Sequence, residues 1–316
     1  MAQPSVNEVH VDSIMTNVSI AYMQAQSAFI ASQVFPVIPV DKMSDKYFTY
    51  TKNDWFRDEA QRRGPNQESA GSGYNIGTDN YSCQVYAFHK DVSNQLIQNA
   101  DAPLNPEREA ARFVASRLLL RQEIQWVSDY FTTGVWATDV TPANLWSDYS
   151  ASDPIGDVET GKESILSVTG YEPNTLVMGY QVFRQLKNHP DVIDRFKYTS
   201  ANNITADMLA RLFEVDRLLI AKAIKATNLE GETAAYSFVH GKHALLCYSN
   251  PAPELLAPSA GYTFYWRGVS EGLGANIGTK TIPMPHLESQ RVESQLAWDN
   301  KVVATDLGYF FNGAVA

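Results

Sequence analysis

The stretch WFRDEAQRRGPNQESAGSGYN, residues 55–75, restricts the available folds more than any other part of the chain. It is polar, rich in Gly and Ser, and has almost nothing to bury. On either side, KYFTYTKNDWF and NYSCQVYAFHKDV are dominated by aromatic, β-branched and alternating residues, as strands are. In the second run Tyr81, Cys83, Val85 and Ala87 share one face, and Tyr86 and Phe88 lie on the other. The two runs predict a single hairpin over 46–91 with 55–75 at its tip, where hairpin loops ordinarily have about 2–5 residues. Its arms would project at most roughly 70 Å, at ~3.3 Å per residue. A two-stranded ribbon of that length is not stable alone in water. It requires a surface beyond its own domain.

The rest of the chain supplies an α+β pattern. Residues 12–33 carry Ile14, Val18, Ala21, Ala25 and Phe29 at helical spacing. VFPVIPV follows as an extended arm, since Pro36 and Pro39 forbid helix. NPEREAARFVASRLLLRQEIQWVSDYF reads as a long helix: Asn105 caps it, Pro106 takes its first position, and Glu107 and Glu109 face its positive end. Its expected stripe is Phe113, Leu120, Ile124, Val127 and Phe131, widened by Val114 and Leu118. Residues 132–161 read as loop, and 162–168 as a short helix. A strand over 175–178, a helix from Tyr180 to before Pro190 and a helix capped by Thr205 follow. RLLIAKAIKAT, YSFVHGKHALLCYS and YTFYWRG then read as strands. The final 26 residues read as two strands around a turn at Asp299-Asn300, returning to the long helix.

Composition narrows the function classes. The 316 residues carry a net charge of −10, which opposes tight binding of nucleic acid or anionic membrane. No apolar run approaches the ~18 residues of a membrane span. The N-terminus has no basic segment followed by an apolar core, so no signal peptide is expected. Cys83 and Cys247 are then expected as buried free thiols. The Asn-X-Ser/Thr matches at Asn17, Asn80 and Asn203 carry no meaning in that setting.

Chemistry-bearing motifs are lacking. GVSEGLGANIG is followed by no helix to offer a phosphate its N-terminus, and it reads as a loop. His240 and His243 lack the spacing and companions of a metal site. Asp153 with Asp157, and Asp191 with Asp194, read as caps or solvated faces. No nucleophile elbow is present. The expectation is a non-enzyme with no cofactor and no metal. The residues singled out instead are Trp55, Phe56, Arg57, Arg62 and Arg63 on the hairpin tip and Phe35 and Ile38 on the arm, all as contacts to another subunit.

This order of parts resembles the major capsid protein of tailed bacteriophages, with the HK97-type fold. NVSIAYMQAQSAFIASQVFPVIPVDKMSDKYFTY is similar to the opening of one branch of that family, and YEPNTLVMGYQVFRQLKNHPDV to the start of its axial domain. The resemblance implies an N-terminal arm over 1–45 and an extended hairpin over 46–91. It implies a peripheral domain over 92–167 and 284–316, containing the long helix as a spine, and an inserted axial domain over 168–283. It further implies self-assembly into hexamers and pentamers of an icosahedral virion shell, built in the host bacterial cytoplasm. The interior would make non-specific contact with packaged double-stranded DNA, and a portal is a further partner. The arm begins near Met1, so a separate scaffolding protein is expected. No lysine lies between Arg57 and Asn80, so no covalent lysine–asparagine mesh is expected; buried area, the arm and a cementing or decoration protein would stabilise the shell. The alternatives are an encapsulin-like compartment, a soluble α+β hydrolase with a lid hairpin, and a tail or decoration protein.

Overall fold

The long helix organises the molecule. A computed structural model describes residues 24–100, 104–196, 204–252, 257–269 and 278–316. In it, helices α1 (Ala31–Val34), α2 (Lys52–Trp55) and α3 (Asn94–Asn99) are short, while α4 spans Pro106–Tyr130. The Asn105 side chain caps α4 by accepting from the Arg108 N–H at 3.0 Å. At ~1.5 Å per residue the helix is about 38 Å long. Of the expected stripe Val114, Leu118 and Phe131 are buried, but the rest of the buried side is Ala110, Gln122, Trp126 and Tyr130, with Glu123 beside them. Phe113, Leu120, Ile124 and Val127 are only half-buried. A strict every-fourth-residue row drifts around the helix, so α4 turns one flank inward at its start and another at its end.

Two five-stranded sheets flank this spine. The first uses β1 (Val37–Val40), β4 (Gln84–Ser93), β11 (Gly261–Trp266), β12 (Gly278–Met284) and β13 (Ser289–Val302). β13 is its centre: one edge pairs with β4, the other with β12 and then β11, and β1 runs parallel on β11. The expected turn at Asp299-Asn300 does not form. Asp299 pairs with Phe264 and Asn300 with Thr263 inside the ladder. Tertiary partners occupy both turn-forming side chains: Asp299 accepts from the Ser82 N–H, and Asn300 donates to Asp129.

The second sheet runs β5 (Thr138–Val140), β14 (Gly308–Phe311), β10 (Ala244–Cys247), β6 (Thr175–Gly179), β7 (Arg217–Ala221). The last strand therefore joins this sheet rather than the one holding β13, and strand Gly261–Trp266 joins the β13 sheet. Helices α5 (Pro154–Thr169), α6 (Tyr180–Lys187), α7 (Pro190–Phe196) and α8 (Ala206–Leu212) accompany it. α5 starts eight residues before the expected Lys162, because Asp153 caps it at the Gly156 N–H and Pro154 takes the first position. It ends at Gly170, whose φ of 72° suits a left-handed C-cap. Short strands β8 (Ile224–Ala226) and β9 (Tyr236–Phe238) form a separate pair. One apolar cluster joins the arm, α4, α5 and the second sheet, with Trp126, Trp146, Phe310 and Leu245 fully buried.

The hairpin is the largest revision. β2 (Ser44–Tyr50) pairs with β3 (Ile76–Ser82), and the pairing ends there. At Cys83 the chain leaves the ribbon, and β4 then lies along β13 through ten residue pairs. Tyr81 and Cys83 are buried, but Val85 and Ala87 are exposed, so the four do not share one buried face. The strand predicted through Phe56 stops at Tyr50, and α2 follows. Seven pairs make a ribbon of about 23 Å at ~3.3 Å per residue, well short of the upper limit set by 46–91.

The arm is not a continuous helix where it is described: a 3-10 turn at Gln26–Ala28 and α1 occupy that stretch. Residues 12–23, Asn17, Asn203 and 270–277 of the glycine-rich loop lie outside the described residues. Both thiols are free and buried, and burial pushes each up to about 12. Among the described residues, no helix is long and apolar enough to cross a membrane.

Candidate assembly surface

The same chain covers little of the ribbon: Tyr47 of β2 packs on Phe264, while β3 is left bare. From Ile76 to Asn80 both faces of β3 are exposed, and only Tyr81, at the root, is buried. Lys52, at the far end of β2, pairs with Asp306 of the body, and Tyr81 stacks on Phe264 at 4.6 Å to fix the root. Beyond it, residues 65–80 are exposed throughout. A small aromatic plate closes the start of the loop: Trp55 lies 5.5 Å from Tyr74, and Tyr50 contacts both rings. The Asp54 carboxylate accepts from the backbone N–H and side-chain amide of Asn75 and clamps the two ends of 54–75. Phe48, Trp55, Phe56, Tyr74 and Ile76 remain more than half exposed around the plate. Apolar side chains grouped this way on a thin projection mark a contact surface.

The structure places Trp55, Phe56, Arg57, Arg62 and Arg63 together on this loop, all exposed. Arg57 lies 3.8 Å from Glu59, and Arg63 donates to the Gln67 carbonyl at 2.6 Å. The two arm residues do not join them. Phe35 is 2% exposed and sits among Trp126, Tyr130 and Trp136. Ile38 is half-buried on β1, opposite Phe264. These two belong to their own subunit's core, because the arm returns as a strand on β11.

What holds the arm was not visible as a motif. Glu123, fully buried on α4, accepts from the N–H groups of Ile30, at 3.1 Å, and Ala31, at 2.9 Å. His240 Nε2 stands 3.5 Å from the same carboxylate. Burial pushes Glu123 up to about 7 against the arm's two hydrogen bonds, and burial pushes His240 down to about 3. From the second sheet, Arg217 donates to the carbonyls of Gln33 and Val34, and the Ser249 hydroxyl donates to Val34.

One constellation imitates a hydrolase. Ser152 Oγ lies 3.0 Å from His189 Nε2, and His189 Nδ1 lies 3.6 Å from the Asp191 carboxylate. Nδ1 accepts the Asp191 backbone N–H, so the ring proton sits on Nε2 and points at the serine. The serine hydroxyl in turn donates to the Asp148 carbonyl at 2.6 Å. A general base needs the opposite tautomer, with a lone pair facing the hydroxyl. Asp153 caps α5 and Asp157 accepts from the Trp146 indole, as caps and fillers rather than acids. His240 and His243 flank the turn at Gly241 instead of sharing a strand, and His243 accepts the Gly313 N–H. Among the described residues, no group of three or more metal-type side chains converges.

No protein-family model matches the chain. It is 26% identical over 273 residues to the major capsid protein of Burkholderia phage BcepMu, covering 82% of this chain and 84% of that protein. It is 24% identical over 315 residues to the major capsid protein of Pseudomonas phage JBD67, covering 97% of each. A phage-related protein from Bordetella bronchiseptica RB50 superposes with a TM-score of 0.70 at 26% identity, over 92% of this chain and 93% of that one. The capsid of cyanophage P-SCSP1u gives 0.63 at 9% identity, over 100% and 96%. The SrpI encapsulin of Synechococcus elongatus gives 0.54 at 11% identity, also over 100% and 96%, a likeness of fold alone. The chain has the HK97-type α+β capsid fold and resembles, over most of its length, the major capsid proteins of tailed phages.

Proposed function

We propose that this chain is the shell subunit of a phage head, a structural protein and not an enzyme. Its copies form hexamers and pentamers of an icosahedral particle around double-stranded DNA. The observation that carries this reading is the ribbon: β3 is bare on both faces, and a loop of some twenty residues ends in exposed aromatics and arginines. Such a projection lowers its free energy only on another chain. Trp55, Phe56, Arg57, Arg62 and Arg63 are its contact residues. On this reading α4 and the β13 sheet form the peripheral part, and the β10 sheet most of the axial part. Further copies of the chain are the main partner. A separate scaffolding protein, a portal and a cementing protein are the additional partners that the resemblance implies, and the virion is the location.

An encapsulin-like compartment shares the fold, but both curated relatives are phage proteins at 24–26% identity, against 11% for the encapsulin. Sedimentation and electron microscopy of the full chain, expressed with and without its scaffold, test the proposal. Closed megadalton particles are expected. A folded monomer that never forms particles, or a small oligomer, refutes it.

A further inference from the structure

Two titratable side chains meet beneath the arm, and water reaches neither. Glu123 of α4 is fully buried, and His240, in the turn between β9 and β10, is 1% exposed. Glu123 Oε1 and His240 Nε2 lie 3.5 Å apart. The arm closes over them: Ile30 and Ala31 donate their N–H groups to the carboxylate, and Phe29 packs with Val239, Ala223 and Ile124. Rings form the other walls, with Trp126 5.5 Å and Phe131 5.2 Å from the imidazole, centre to centre. Among the described residues, neither imidazole nitrogen has a hydrogen-bond partner, and nor does the Trp126 indole N–H.

The other charges nearby are engaged or in water. Residues 24–35 of the arm contain no charged residue. On α4, Arg121 turns to Gln125 and the Tyr86 ring, and Asp129 is held by Gln125 and Asn300. Arg217 of β7 is taken by the carbonyls of Gln33 and Val34 and by the Thr175 hydroxyl. Lys222 and Lys242 are exposed. His243 Nδ1 accepts the Gly313 N–H, and a charge on His243 would oppose one on His240. Among the described residues, Glu123 is the one acid within ion-pair distance of His240. A net charge in such a place is costly. With no proton the pair is an anion, and with two it is a cation. With one it carries no net charge, whether the proton sits on Oε1 or on Nε2.

We infer that Glu123 and His240 form a one-proton latch on the arm: the arm docks while the pair holds a single proton, and loosens when it holds none or two. This does not depend on the capsid reading. Burial acts on the two groups in matching directions, pushing Glu123 up to about 7 and His240 down to about 3, so the docked pair keeps one proton between those values. With the arm lifted, the ordinary values of 4.5 and 6.5 return, and between them Glu123 is ionised and His240 is charged. From 4.5 to 6.5, docking therefore leaves the number of bound protons unchanged. Each group alone would behave otherwise. Raised Glu123 favours docking below 4.5 and loses that contribution as pH rises through about 7. Lowered His240 favours docking above 6.5 and loses that contribution as pH falls through about 3. In the wild type the two slopes cancel.

The test is hydrogen exchange of the full chain from pH 4.5 to 6.5, read by mass spectrometry on peptides covering 28–34. Rates are corrected for the intrinsic pH dependence of amide exchange, which leaves the arm's opening constant. It should stay level in the wild type. In Glu123→Gln it should fall as pH rises, and in His240→Gln it should climb, each by about tenfold per pH unit and about 100-fold across the window. Glu123→Gln/His240→Gln should be level again. Each variant is compared with itself across pH, so a loss of overall stability does not disturb the result. If His240→Gln does not fold, the contrast between the wild type and Glu123→Gln decides. A Glu123→Gln variant that stays level, or a wild type that slopes tenfold per unit, overturns the inference. So do arm amides that exchange no faster than those of 175–179 in β6, because the arm would then open only with the whole chain.

Discussion

Removing the Glu123 carboxylate should separate two effects that oppose each other in the native chain. Glu123→Ala leaves the buried N–H groups of Ile30 and Ala31 without an acceptor. At about 1–3 kcal/mol for each orphaned donor, the loss is about 2–6 kcal/mol. Glu123→Gln keeps one oxygen where Oε2 stands, within reach of both donors. It also turns its amide toward His240 Nε2, which has no hydrogen-bond partner. It should be close to neutral at low pH. The ionised carboxylate is disfavoured by burial, which raises it from 4.5 to about 7. A raised folded value means that the stability Glu123 contributes is fully present below 4.5 and is lost as pH rises through about 7. At ~1.4 kcal/mol per pH unit that loss is about 3 kcal/mol. His240, pushed down to about 3 from 6.5, works the other way: its contribution is present above 6.5 and lost as pH falls through about 3. His240 is unchanged in Glu123→Gln, so its effect largely cancels in the difference. Denaturant unfolding of the full chain at a series of pH values, followed by tryptophan fluorescence, gives that difference directly. The glutamine variant should gain on the wild type from pH ~5 to ~7 and then hold a constant lead. A difference that is flat with pH, or that favours the wild type increasingly as pH rises, refutes the argument that burial outweighs the arm's hydrogen bonds.

Other substitutions probe the fold and the proposed surface separately. A Cβ at Gly179 would fall 2.1 Å from the Gly241 carbonyl oxygen, so Gly179→Ala should lose at least the ~1–3 kcal/mol typical of overpacking, read by thermal unfolding. Asn105→Ala removes the cap of α4 and should cost about 1 kcal/mol in the same assay. Deleting 58–73 should leave unfolding unchanged and abolish particles in sedimentation; normal particles would remove the ribbon from the assembly surface. Boiled, reduced shells should run as a single subunit band, because no lysine occupies the hairpin tip between Arg57 and Asn80.

The parts legible in the sequence are those fixed by local chemistry. Asn105-Pro106, Thr205 and the block at His189-Pro190 set helix boundaries that the structure reproduces, because caps and proline act within a few residues. Readings failed where a distant partner overrode a local preference. Asp299-Asn300 has turn chemistry, but Ser82 and Asp129 take up its side chains and the strand continues. Residues 154–161 read as loop from Pro154 and Gly156, yet Pro at a first helical position is permissive. The break at Cys83 leaves no trace in alternation, since 76–82 and 84–93 are both strands and differ only in their partners. Of the site, the exposed tip was visible from polarity and length. Phe35 was misplaced because nothing in VFPVIPV says whether an apolar arm serves its own body or another. Glu123 was invisible for a related reason: a single Glu in a helix has no motif, and its role depends on Ile30 and Ala31, more than ninety residues away.

The two extended parts of this chain are therefore in opposite states, and that asymmetry locates the assembly surface. Between Ile30 and Val34 the arm's exposed backbone groups meet dedicated partners: Glu123 takes the N–H groups, and Arg217 and Ser249 take the carbonyls. From Val37 the ladder to β11 takes over. An arm so fully satisfied gains little by moving to a neighbour, because Glu123 and Ser249 would be left buried without their partners behind it. The ribbon has few such partners: Tyr47 rests on Phe264 and Lys52 pairs with Asp306, but residues 76–80 of β3 are bare and the aromatic plate is half in water. Association lowers free energy most where apolar surface is still exposed and few native bonds must break, so the drive to join copies rests on residues 48–76 rather than on the arm.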